Sequence, residues 1–100
     1  MEYESSIKTD KEFREKFNKL FYYFKNKAIK NTAETALFKR LIDVRNYIEN
    51  NTSLPYKKES YNNMLPYFEL GGGWELMESR EGEEATDILW YFVNRYNNNE

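Results

Sequence analysis

The sequence predicts a mainly α fold, a small helical domain of three main helices plus a short broken helix or hairpin near residues 55–80. Three observations predict it. Apolar residues recur at helical spacing in three separate stretches, helix-start signatures precede two of them, and rings make up 18% of the chain, enough to build a core. At 100 residues a single domain, 1–100, is expected, because a second would have too little apolar surface left to bury.

The first helix is expected over about 10–30. Thr9-Asp10-Lys11-Glu12 has the capping-box pattern, in which a hydroxyl and a carboxylate satisfy backbone N–H groups that lack helical partners. Phe13, Phe17, Leu20, Phe21, Phe24 and Ala28 follow on one face, and Glu12 with Lys16 and Glu15 with Lys19 are oppositely charged pairs four apart. The second helix follows the cap Asn31-Thr32-Ala33-Glu34. Its stripe of Leu37, Leu41, Val44 and Ile48 is widened by Phe38, Ile42 and Tyr47, so it should be contacted on more than one side and form the centre, ending near Asn50-Asn51.

The pattern then weakens. Tyr61, Met64, Leu65 and Phe68 have helical spacing, but Pro66 would remove a helical hydrogen bond, so a short helix to about Leu65 and then a break is the economical reading. Around Gly71-Gly72-Gly73, the alternation Phe68-Glu69-Leu70 and Trp74-Glu75-Leu76 also fits two arms of a hairpin. The triplet lacks the residues of a phosphate-binding loop and reads as a hinge or turn. The last helix is expected over about 83–97, with Ala85, Ile88, Leu89, Phe92, Val93 and Tyr96 inward and acidic residues in its first turns, where the helix dipole favours them. Trp74 and Met77 could extend it backward, although Gly82 weakens that continuity; the tail 97–100 should fray.

Composition narrows the chemistry. Without Cys there is no disulfide or thiolate metal site; without His there is no imidazole ligand and no Ser-His-Asp triad. No cofactor is expected. The N-terminus lacks a basic region followed by an apolar one, and no apolar run approaches the roughly 18 residues of a membrane span, so a cytoplasmic protein is expected. Abundant Asn, Lys and Tyr are what A/T-rich codons produce and point to a low-GC bacterium or one of its phages.

Charge is unevenly distributed. Residues 1–60 hold 13 basic and 9 acidic side chains, residues 61–100 hold 2 and 8, and the acidic part either faces a basic partner or neutralises the basic part on packing. On the last helix Asp87, Trp90, Tyr91 and Asn94 form a second row at i, i+3, i+4 and i+7, outside the apolar stripe. If that row is exposed, its rings are of the type enriched at protein-binding hot spots; if helix 3 or the N-terminal arm with Tyr3 covers it, they are structural.

Glu84-Ala85-Thr86-Asp87-Ile88-Leu89-Trp90-Tyr91 locally resembles the helix motif of MazG-like nucleotide pyrophosphohydrolases, in which a Glu-x-x-Asp pair precedes an apolar-aromatic run. The resemblance covers about a dozen residues. It implies Mg²⁺ held partly by Glu84 and Asp87, but the second acidic cluster of that family, Glu-Glu-x-x-Glu, has no match upstream among the scattered Glu59, Glu69, Glu75 and Glu78. A basic stripe of Lys16, Lys19, Lys27 and Lys30 with Tyr23 could follow a phosphate backbone, yet a pI near 5.3 argues for a solvated flank and against direct nucleic-acid binding.

The expectation is therefore a non-catalytic protein-binding module of the inhibitor or immunity type, one that blocks a nuclease or defence enzyme. Its acidic and aromatic surface would comprise Glu83, Glu84, Asp87, Trp90, Tyr91 and Asn94. The partner would be another protein, with a basic groove. A divergent Mg²⁺-dependent pyrophosphohydrolase and a structural homodimer using the same helix face are the alternatives.

Overall fold

A computed structural model describes residues 4–97. Four helices, α1 (Asp10–Asn26), α2 (Thr32–Asn50), α3 (Gly73–Glu78) and α4 (Arg80–Asn97), are joined through two 3-10 turns, Lys58–Asn62 and Leu65–Glu69. There is no strand among the described residues, and the fold is mainly α. Tyr3 and residues 98–100 lie outside the described range.

Both cap signatures form. Thr9 Oγ1 accepts from the Glu12 N–H at 3.1 Å, while the Glu12 carboxylate reaches one residue past the expected cap and accepts from the Lys8 N–H at 3.0 Å. Asn31 makes the complete box, accepting from the Glu34 N–H at 2.8 Å as Glu34 accepts from the Asn31 N–H at 3.5 Å. At the other end of α2, Asn51 takes the left-handed conformation (φ 53°), which an Asn tolerates better than most residues. Helix α1 stops at Asn26, four residues short of the expected end, because the chain must turn to present Asn31 as a cap. Of the expected ion pairs, Glu12 with Lys16 closes to 3.3 Å; Glu15 and Lys19 make none among the described residues.

The periodicity predicts the core well. Phe13, Phe17, Leu20, Phe21 and Phe24 of α1, Leu37, Leu41 and Val44 of α2, and Ala85, Ile88, Leu89, Phe92 and Val93 of α4 are all buried in one cluster, joined by Ile7, Ala33, Tyr61, Tyr67 and Leu76. Helix α2 does not hold the centre alone: α4 packs on α1, α3 and the first 3-10 turn, α2 on α1, α3 and the second. Tyr61, in the first turn, ties the two together. Its ring meets Phe92 of α4 at 6.2 Å and its hydroxyl donates to Asp43 of α2 at 3.1 Å.

The hairpin alternative for 66–80 is replaced by a 3-10 turn and a helix. Pro66 sits in the first positions of the second 3-10 turn, where its missing N–H breaks nothing. Gly72 is left-handed (φ 78°), and a side chain there would run into Asn31; Gly73 lies against the Tyr67 carbonyl, where an added Cβ would stand 1.7 Å from the oxygen. The glycine triplet is thus a turn fixed by close packing, with the Gly71 carbonyl accepting from the Ala33 N–H at 3.0 Å. Ser79 then opens α4: its hydroxyl accepts from the Gly82 N–H at 3.0 Å, so α4 starts at Arg80 rather than 83 and Trp74 and Met77 belong to a separate helix.

Burial of phenols in this core has a consequence at high pH. Burial raises the pKa of Tyr67 to about 12, against the nearby Arg40 charge, and burial together with donation to Asp10 raises Tyr91 to about 12. Tyr61 is pushed higher still, by burial and by Asp43, and the hydrogen bond to Glu34 raises Lys27. All four groups hold their protons more tightly when folded. The stability they contribute is complete below pH 10 and is lost as pH rises through the folded values. Alkaline titration read at 295 nm should show some of the nine tyrosines ionising late, together with loss of far-ultraviolet helicity; ionisation of all nine near pH 10 with the fold intact would contradict this.

Candidate partner-binding surface

The six residues expected to form the contact surface divide into two groups. Asp87 and Tyr91 face other parts of the chain. The Asp87 carboxylate accepts from the Ser6 N–H at 2.8 Å and from the Ser6 hydroxyl, while its backbone carbonyl accepts from Ser5 Oγ at 2.9 Å. This pins the N-terminal arm across α4 and lets Ile7 enter the core. The Tyr91 ring stacks on Phe13 at 5.0 Å and its hydroxyl donates to Asp10, which also lies 3.5 Å from Arg95 Nε. The remaining four face outward to differing degrees. Glu83 and Asn94 are exposed, Trp90 is half-buried, and Glu84 is partly covered and sits 3.5 Å from Arg80 Nε.

Glu84 and Asp87 are therefore engaged with Arg80 and Ser6, and among the described residues no three His, Cys, Asp or Glu converge in a group able to hold a metal ion. The basic stripe is divided too. Lys16 pairs with Glu12, and Lys27, beyond the end of α1, turns to the buried Glu34.

A more exposed acidic and aromatic face lies next door, on α3 and the second 3-10 turn. Trp74 is 61% exposed although its ring packs on Phe68 at 4.5 Å. Leu65, 74% exposed, stands three residues before Phe68, and side chains at that spacing in a 3-10 turn eclipse one another. Leu65, Phe68 and Trp74 thus make an apolar row. Glu69, Glu75 and Glu78 beside it are exposed and make no ion pair or hydrogen bond among the described residues. The sequence did carry a signal for this face. Only Leu76 of α3's large side chains is fully buried, while Trp74 and Glu78 share its outer side at i, i+4, but that is visible only once α3 is separated from α4.

No protein family, no curated protein and no solved structure matches this chain. Among the described residues no helix is long and apolar enough to cross a membrane.

Proposed function

We propose that this chain is a non-catalytic protein-binding module of the inhibitor or immunity type, capturing a basic face of another protein. The observation that supports it is Trp74: a tryptophan 61% exposed, braced by Phe68, among carboxylates that make no ion pair or hydrogen bond among the described residues. Tryptophan is the residue most enriched at binding hot spots, and a ring already held in place loses little freedom on binding. The contact centre is the row Leu65, Phe68 and Trp74. Its rim is Glu69, Glu75 and Glu78, and the acidic charge continues along the chain into Glu83 and Glu84, with Trp90 and Asn94 further along α4. The carboxylates set the approach and the salt dependence; the rings supply most of the affinity.

The test is capture from lysate of the native host followed by affinity measurement on the protein retained. Trp74→Ala should weaken binding by about 2 kcal/mol, roughly 30-fold, with circular dichroism unchanged. Glu75→Lys with Glu78→Lys should slow association and remove its dependence on salt. A captured partner that binds both variants as tightly as the wild type would refute this surface.

A further inference from the structure

A second region, on the outer face of α2, carries the opposite charge. Arg40 lies between two rings, its Cζ 4.1 Å from the centroid of Tyr56 and 5.1 Å from that of Tyr61. It makes no ion pair among the described residues; its Nη1 is buried without an acceptor in hydrogen-bond geometry, while the Tyr67 hydroxyl lies beside the guanidinium, whose charge opposes the rise that burial causes in its pKa. A buried guanidinium N–H without an acceptor is costly, and Arg is the side chain whose planar donors match carboxylates and phosphates. Beside it is a hollow of about 360 Å³ lined by Arg40, Lys39, Asp43, Ala36, Ile42, Pro55 and Tyr56. That volume lies at the lower end of the range for small-ligand sites.

The lining has two cations against one carboxylate, Asp43, which accepts the Tyr61 hydroxyl at 3.1 Å. Ala36, Ile42 and Pro55 supply an apolar wall. Tyr56, 55% exposed, is the outermost cover over the guanidinium.

We propose that this hollow binds a small oxyanion, a carboxylate or phosphate on a compact apolar body, with Arg40 and Lys39 taking the charge as the Tyr56 ring rotates outward. The rings of Tyr56 and Tyr61 hold the guanidinium in place before the ligand arrives, and the guanidinium supplies the donors. The site is independent of the acidic face around Trp74, which neither shares its residues nor its sign of charge.

The experiment is an NMR titration of the whole chain with benzoate and with phenyl phosphate, using benzamide as the neutral control. Saturable shifts of the Arg40 Nε–H and Tyr56 ring signals are expected with at least one oxyanion, and the stronger of the two identifies the anionic group preferred. Benzamide should produce no saturable shift there. Lys39→Gln, a change at an exposed residue, should weaken the oxyanion by roughly three- to tenfold, and Arg40→Gln should abolish the shifts while circular dichroism stays native. If Arg40→Gln fails to fold, the Lys39→Gln measurement decides. Equal response to benzamide, shifts that never saturate, or an affinity unchanged by Lys39→Gln would each overturn the proposal.

Discussion

Phe92→Ala is expected to cost about 4 kcal/mol, the middle of the range for deleting a buried ring. The side chain is fully buried, and it is the ring on which three others converge: Tyr96 at 5.2 Å, Tyr47 at 5.7 Å and Tyr61 at 6.2 Å. Removing it forfeits the transfer of the ring from water, leaves a void lined by atoms with no contact on one side, and breaks three aromatic pairs at once. The void will not close easily. Tyr61 is tied to Asp43, and Tyr47 carries the Lys58 ammonium 5.0 Å above its ring. Domains of this size have a total stability of roughly 5–15 kcal/mol, so the variant should be marginal, with its thermal midpoint lowered by about 15–30 °C. Urea unfolding followed by circular dichroism measures this. Tyr22→Ala, at a ring 44% exposed, is the comparison. A Phe92→Ala cost no larger than that of Tyr22→Ala would mean that α2, α4 and the first 3-10 turn do not meet at Phe92.

What the sequence made legible follows from where each signal originates. The three long helices carry their own instructions: Thr9 and Asn31 start α1 and α2, and the stripes of α1, α2 and α4 became the buried faces with few exceptions. Ala28 fell outside because α1 ended early. Residues 55–80 are different, since their conformation is dictated by contacts across space. Gly73 is required by the Tyr67 carbonyl, Gly72 by Asn31, and neither requirement shows in a local pattern. What covers the second row of α4 is illegible for a related reason. Asp87 and Tyr91 do form a second row on α4, but what meets that row is Ser5, Ser6 and Phe13, and the arm carrying the two serines has no periodicity to announce itself. Trp74 is hidden in the sequence because nothing local separates its turn from α4.

Gly82→Ala tests that boundary directly, because two effects oppose each other. In a helix interior the substitution alone should stabilise by up to about 1 kcal/mol, since glycine has the lower helix propensity. Against this, a Cβ at Gly82 would stand 1.9 Å from the Leu76 carbonyl oxygen, 2.8 Å from its carbon and 3.0 Å from Met77 Cα. All three atoms are backbone, so no side-chain rotation relieves the clash and α3 must move away from α4. The same Leu76 oxygen accepts from Ser79 Oγ at 2.6 Å and from the Ser79 N–H at 3.1 Å, and Ser79 Oγ in turn accepts from the Gly82 N–H. Displacing it disturbs the cap of α4 and partly exposes Leu76, one of the few buried residues of α3. Overpacking alone costs about 1–3 kcal/mol, and the cap adds about 1 kcal/mol, so the clash prevails over the propensity gain and a net loss of about 2 kcal/mol is expected. Chemical denaturation gives the sign. A gain in stability would show that helix propensity outweighs the α3–α4 contact. A loss accompanied by weaker partner binding at a concentration where the variant is still folded would mean that Gly82, through α3, also sets the position of Trp74.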